Sequence, residues 1–144
     1  MLSGIAAAEG GGVAYLKPHG ALYHRVAVDE VQAAAVLDGS GALPVLGMPG
    51  SRLLAMATER GRDGRLEGFP DRGYTADGGL VPRDQPGALV TEAEDVAARA
   101  VELAGTVDSV CVHGDSPGAV ATARAVRRAL EAAGWSVTTC WSAD

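Results

Sequence analysis

The stretch "SVCVHGDSPGAVATARAVRRALEAAG" (residues 109–134) decides the fold class, because it contains one complete β/α unit. The apolar run Val110, Cys111 and Val112 near its start predicts a short buried strand, after which a polar, glycine-containing loop follows. Ser116 and Pro117 suit the first positions of a helix, and Gly134 suits its end. Apolar residues recur on one face of this helix, so we expect the following side chains to face the core: Val120, Ala123, Val126, Leu130 and Ala133.

The same alternation recurs upstream. Further strands are predicted at 13–16, 43–48, 65–69 and 136–140, and further helices at 28–39, 50–61 and 91–104. Thr91 and Glu94 have the spacing of a capping box, and residues 2–11 have the pattern of the end of a helix. Helices between strands require parallel strand pairing, so we predict an α/β fold within a single domain over residues 1–144.

Composition excludes several classes of protein. The chain has 144 residues and a formal net charge of −6, which argues against nucleic acid as a main partner. No apolar stretch approaches the ~20 residues of a membrane-spanning helix. The first residues lack the pattern of a signal peptide, so we expect a soluble cytoplasmic protein. Cys111 and Cys140 are too few for a disulfide scaffold.

Polar residues and glycine follow three of the predicted strands. They stand in "YLKPHGALYH" (15–24), "FPDRGY" (69–74) and "VHGDSPG" (112–118). Charged groups at the end of a buried strand are costly unless they are solvated or paired. In parallel α/β folds these strand ends open into the loops that form sites. We therefore expect the three segments to face a common pocket.

The residue types at these ends suit hydrolysis at a carbonyl. The cations Lys17, Arg72 and Arg83 could hold a carboxylate, a phosphate or a developing oxyanion. Proton transfer near neutral pH suits the remaining titratable residues, which are His19, Asp71, His113 and Asp115. Each residue also has a structural interpretation. Lys17 could cap a strand end in solvent, Arg83 could be a loop cation, and Asp115 could be a turn residue. The histidines could be satisfied structural side chains, and Asp71 and Arg72 could be partners of each other. The sequence contains no P-loop, GxGxxG, HExxH or CxxC motif.

Four segments together resemble the motifs of the LamB/YcsF family, to which the A-subunit of 5-oxoprolinase belongs. They are "YLKPHGALYH", "EGFPDRGY", "GGLVPR" and "SVCVHGDSPGA", and the resemblance runs from about residue 2 to residue 134. It implies ATP-dependent opening of the 5-oxoproline (pyroglutamate) lactam to L-glutamate, together with 5-oxoprolinase subunits B and C as partners. It also implies an irregular β/α, TIM-like barrel of the glycoside hydrolase/deacetylase type.

The resemblance also implies which residues form the site, and the chemistry of their side chains indicates the role of each. The catalytic candidates are His19, Asp71, His113 and Asp115. The candidates for binding substrate or phosphate are Lys17, Gly20, Arg72, Arg83 and Gly114. ATP is expected as co-substrate, with a site that extends onto the partner subunits, and no metal ligand set is predicted.

Two alternatives remain open at this stage. The chain is much shorter than the ~250 residues of a typical β/α barrel, and the family's N-terminal motifs are missing. We therefore expect the C-terminal part of such a barrel, and one alternative is a truncated chain without activity of its own. The other alternative is a metal-dependent, deacetylase-like amidohydrolase with His19, His113 and Asp71 as ligands.

Overall fold

The structure is a computed structural model that describes residues 2–141 of the chain. It divides into two compact units. The first unit contains the chain up to Arg65 and again from Thr139, and the second is Leu66–Thr138. The formation of a single domain over residues 1–144 stays a prediction.

Six helices and three strands make up the regular structure of the described residues. Those of the first unit are α1 (Leu2–Ala8), α2 (Gly20–Val28), α3 (Glu30–Gly39), β1 (Val45–Gly47) and α4 (Arg52–Glu59). Strand β2 (Gly64–Gly68) begins in the first unit and ends in the second, which also contains α5 (Ala93–Ala104), β3 (Ser109–Val110) and α6 (Ala119–Ala132). Over residues 2–141, none of the helices has the length and apolar character needed to span a bilayer.

In the first unit, α2, α3 and α4 pack against one another around buried aliphatic side chains. Two of these helices have side-chain caps at their N-termini. Gln32 donates its backbone N–H to Asp29 Oδ1 (3.0 Å) before α3, and Leu54 donates its own to Ser51 Oγ (3.4 Å) before α4. The cap at Ser51 and the helix that follows it confirm the sequence prediction for this segment.

Two predictions for the first unit were wrong. Helix α2 was not predicted, because its apolar pattern spans only nine residues and begins inside a segment interpreted as a polar loop. Tyr23 and Val26 are nevertheless buried three positions apart on one face of it. The predicted strand at 13–16 is reduced to one parallel bridge between Leu16 and Val45. Pro18 has no N–H, so it cannot extend the ladder.

In the second unit, β2 and β3 are parallel neighbours, as predicted. Glu67 pairs with Ser109 and Gly68 with Val110, and Cys111 donates its N–H to the carbonyl of Gly68 (2.8 Å). Helix α5 provides the crossover between them and packs against α6. The buried core of this unit consists of Val96, Ala97, Ala100, Ala125, Val126 and Leu130.

Both predicted helix starts in this unit were wrong. Helix α5 has Glu92 as its N-cap, with no side-chain cap, so the capping box of Thr91 and Glu94 does not form. The chain remains extended to Glu92 because Val90 donates its N–H to the carbonyl of Asp71 (3.0 Å). Helix α6 follows Gly118, which has a φ of +80°, rather than Ser116 and Pro117.

The buried face of α6 also differs from the prediction. Val126 and Leu130 are buried as expected, but Val120 is 67% exposed and the predicted core positions Ala123 and Ala133 are exposed too. The face of α6 that packs on α5 begins at Thr122. Val120 precedes Thr122 by two residues and therefore lies on the opposite side of the helix. The strand predicted at 136–140 is irregular, because no described strand pairs with it.

Candidate functional site

Asp71 and His113 form a pair at the carboxyl ends of neighbouring strands. Asp71 lies three residues beyond the end of β2, and His113 lies three residues beyond the end of β3. The parallel pairing of these strands therefore brings the two side chains together. Nδ1 of His113 lies 3.0 and 3.1 Å from the two carboxylate oxygens of Asp71.

Asp71 and Phe69 orient the ring of His113. Besides facing Nδ1, Asp71 Oδ2 accepts the backbone N–H of His113 (2.8 Å), which fixes the carboxylate against the loop after β3. With the carboxylate facing Nδ1, a neutral imidazole carries its proton there and leaves Nε2 as a proton acceptor. The ring of Phe69 stacks on the imidazole with a centroid separation of 5.5 Å and an angle of 29°. Because the His113 side chain is 27% exposed, a small molecule can reach it.

An open pocket of about 360 Å³ includes this pair in its wall. Its other lining residues provide hydroxyls, apolar surface and one ion pair. The hydroxyls belong to Thr91, Ser116 and Thr122, the apolar residues are Leu89, Val90, Val112 and Pro117, and the ion pair is Arg83–Asp115. A few polar groups on an apolar wall are typical of small-molecule sites.

Arg83 and Asp115, both predicted as site residues, pair with each other. Arg83 Nη1 lies 2.7 Å from Asp115 Oδ2, and the side chains are 50% and 61% exposed. The hydrogen bond from Arg83 lowers the pKa of Asp115 below its usual value. Asp115 is therefore ionised at neutral pH, which favours an electrostatic role over the predicted proton transfer.

Arg72 was predicted to hold an anion, but its side chain is only 2% exposed. Nε donates to the carbonyl of Ala88 (3.1 Å) and Nη2 to the carbonyl of Val81 (2.9 Å). Burial lowers the pKa of Arg72, although a guanidinium stays charged in proteins. These contacts hold the irregular segment between β2 and α5, and they favour a structural role for Arg72 over contact with substrate. Asp71 pairs with His113 rather than with Arg72.

Lys17, His19 and Gly20 lie in the first unit. Lys17 is half-buried, and His19 is exposed as the N-cap of α2, where it makes no capping hydrogen bond. Gly20 begins the helix with a φ of +58°, a backbone conformation that favours glycine. The roles of these three residues in a site stay predictions, as does their convergence with His113.

Phe69, Tyr74 and Thr122 are among the contributors to the site that had no predicted role in it. Phe69 stacks on His113 and donates its N–H to Tyr74 Oη (2.8 Å), and burial raises the pKa of Tyr74. Both residues lie in "FPDRGY", so the motif was recognised but the contact of its aromatic residues with the site was not. Thr122 comes from α6, and no local sequence pattern indicated a role for it in the site.

The predicted binding residue Gly114 lies in the exposed loop after β3, and no atom lies near the position of an added Cβ.

Within residues 2–141, no three or more His, Cys, Asp or Glu side chains are grouped closely enough to hold a metal ion. Asp71 and His113 form only a two-residue pair of ligand types, and their mutual contact occupies Nδ1. Metal analysis of the purified protein tests the metal-dependent alternative.

Known proteins resemble this chain over nearly all of its length. The model of the LamB/YcsF family matches residues 1–143. A 5-oxoprolinase A-subunit of Streptomyces griseus subsp. griseus is 53% identical over an alignment of 151 positions, which covers 92% of this chain and 60% of the relative. An A-subunit of Streptomyces coelicolor is 51% identical over an alignment of 148 positions, which covers 90% of this chain and 59% of the relative.

A solved structure, the lactam utilization protein from Thermus thermophilus, matches with a TM-score of 0.80 and 36% identity. The match covers 94% of this chain and 61% of that protein, so the chain spans about three-fifths of the length of these relatives. The likeness confirms the predicted α/β fold class with parallel strands and intervening helices. With the family model matching almost every residue, the chain belongs to the LamB/YcsF family.

Proposed function

We propose that the chain acts as the A-subunit of an ATP-dependent 5-oxoprolinase, which opens the 5-oxoproline lactam to L-glutamate. The similarity to proteins named as 5-oxoprolinase A-subunits and as a lactam utilization protein supports this proposal. Subunits B and C are the proposed partners. The cytoplasm is the proposed location, because the proposed reaction consumes ATP.

The pair of Asp71 and His113 in the wall of the pocket is the observation that carries the proposal. Opening a lactam requires a base that activates water and an acid that protonates the departing nitrogen. Nε2 of His113 is the proposed base, and it takes one proton from the water as the water oxygen bonds to the carbonyl carbon. As the ring C–N bond breaks, the imidazolium returns this proton to the nitrogen, and the amine and carboxylate of glutamate result.

The charge of Asp71 suits this cycle. A carboxylate beside Nδ1 holds the ring in the required tautomer and stabilises the imidazolium that forms. The stacked ring of Phe69 limits rotation of the imidazole, so Nε2 stays directed away from Asp71. Hydroxyls of Thr91, Ser116 and Thr122 can hydrogen-bond the lactam.

The donor set of the pocket fits the lactam better than it fits ATP. Of the described residues that line it, Arg83 is the one cation, which suits a single carboxylate rather than a triphosphate. The pocket does not provide the cations that the phosphates of ATP require, so we assign no step of ATP hydrolysis to it.

Reconstitution of the complete protein with subunits B and C tests the proposal. We expect glutamate formation from 5-oxoproline that depends on ATP, and a decrease of about 10²- to 10⁴-fold in kcat for His113→Ala. Arg124→Ala is the control, because Arg124 is an exposed residue of α6 that lies outside the predicted site segments. An inactive wild-type complex, or an active His113→Ala complex, would contradict the proposal.

A further inference from the structure

The ion pair of Arg83 and Asp115 shares the pocket with the Asp71–His113 pair. Toward the described residues, Arg83 uses only Nη1, in its bond to Asp115. A guanidinium has five N–H donors in a planar fork, so the donors that Asp115 leaves unused can make the first contact with an incoming carboxylate, before that carboxylate replaces Asp115. The geometry of that fork matches a carboxylate.

The pair is also easy to exchange. Both side chains are at least half exposed, and ion pairs of this kind contribute little to stability because water and salt screen them. An incoming carboxylate would replace the contact with Asp115 by an equivalent one. Inside the pocket, with part of the water removed, the new contact would be the stronger of the two.

We propose that Arg83 binds the carboxylate of the substrate, and that Asp115 is an internal carboxylate which the substrate displaces. The inference rests on the proposed function, since 5-oxoproline carries a carboxylate beside its lactam. Arg83 then determines specificity by distinguishing acidic lactams from neutral ones. Asp115 competes with the substrate for this cation.

A direct comparison of two lactams tests the role of Arg83. 5-Oxoproline and 2-pyrrolidinone share the same ring, but only the first has a carboxylate. We expect Arg83→Gln to weaken calorimetric binding of 5-oxoproline by about 10- to 100-fold, as for a lost hydrogen bond to a charged group. Binding of 2-pyrrolidinone should change by less than about twofold. Arg124→Gln, which removes an exposed arginine of α6, is the matched control.

Asp115→Asn separates displacement from simple positioning. If the substrate displaces Asp115, the variant should bind 5-oxoproline more tightly, by up to about fivefold, because the competing charge is gone. The KM for 5-oxoproline should fall with it. Asp84→Asn removes an exposed charge on the neighbouring loop and serves as the control. If Asp115→Asn weakens binding as Arg83→Gln does, Asp115 only positions Arg83 and the inference is wrong.

Two further outcomes would overturn the inference. One is unchanged selectivity between the two lactams in Arg83→Gln. The other is that Arg83→Gln binds inorganic phosphate or ATP more weakly while it binds 5-oxoproline as well as the wild type does. Arg83 would then be a phosphate ligand. If the wild-type complex turns over 5-oxoproline in either case, only the inference fails. A wild-type complex that neither binds nor opens 5-oxoproline refutes the proposed function as well.

Discussion

Replacing Asp71 by asparagine changes the charge and the hydrogen bonding of the site while conserving the size of the side chain. In the structure, one carboxylate accepts the backbone N–H of His113 and also faces Nδ1 of the ring. Asparagine has one acceptor oxygen and one NH₂ group. If the oxygen keeps the backbone N–H, it also stays near Nδ1, and the NH₂ group takes the position of the other carboxylate oxygen, which lies 3.1 Å from the same ring nitrogen. A donor then opposes the Nδ1 proton.

The reverse orientation of the introduced amide also has a cost. Its NH₂ group would then face the backbone N–H of His113, and two donors would oppose each other in a partly buried place. The first orientation weakens the hold on the Nδ1 proton, and the second misplaces the base. The neutral side chain also no longer stabilises the imidazolium. We therefore expect kcat to fall by about 10²- to 10⁴-fold, which corresponds to about 3–5 kcal/mol of transition-state stabilisation.

The assay is glutamate formation by the complete protein with subunits B and C, measured as kcat and KM across pH. Asp71→Asn should lower kcat at every pH and change KM by less than about threefold, because Asp71 contacts the base rather than the substrate. Asp84→Asn should retain wild-type kcat. Retention of more than about one-tenth of the wild-type kcat by a folded Asp71→Asn protein would refute the proposed pairing of base and carboxylate.

Three further predictions concern stability and are measured by chemical denaturation of the complete protein. Gly73→Ala should lower the free energy of unfolding by at least about 1–3 kcal/mol, since the added Cβ would overlap the carbonyl of Gly87. Gly114→Ala, with open space around its Cβ, should change the free energy of unfolding by less than about 0.5 kcal/mol. Equal effects of the two substitutions would contradict this prediction. Arg72→Gln should cost about 1–3 kcal/mol by leaving buried carbonyls unpaired, and an unchanged midpoint would disprove its structural role. Ser51→Ala should cost about 0.5–2 kcal/mol through loss of the helix cap, and Ser51→Thr should recover most of it.

Local sequence signals predicted much of the secondary structure. The α4 segment carries its own start at Ser51 and its own stop at Gly61, whose φ is +70°, so no distant contact is needed to define it. The parallel order of β2 and β3 followed from the helix between them. Such predictions succeed where the information lies within a few residues along the chain.

Errors occurred where a neighbour in space decides the conformation. The start of α5 depends on the bond from Val90 to the carbonyl of Asp71, far earlier in the chain. The exposure of Val120 depends on which face of α6 packs against α5. Neither contact can be read from local periodicity, because periodicity defines a stripe of residues but not the partner that covers it.

By itself, the sequence determined the family motifs and the residue types at the strand ends, including Asp71, His113, Arg83 and Asp115. Only the tertiary structure determined the partner of each side chain: Asp71 contacts His113, Arg83 contacts Asp115, and Arg72 donates to two backbone carbonyls. The physical reason is that charge and hydrogen-bonding capacity belong to a residue type, whereas burial and partners depend on the distances that folding creates. A guanidinium is a ligand for an anion when exposed, as in Arg83, and a structural donor when buried, as in Arg72.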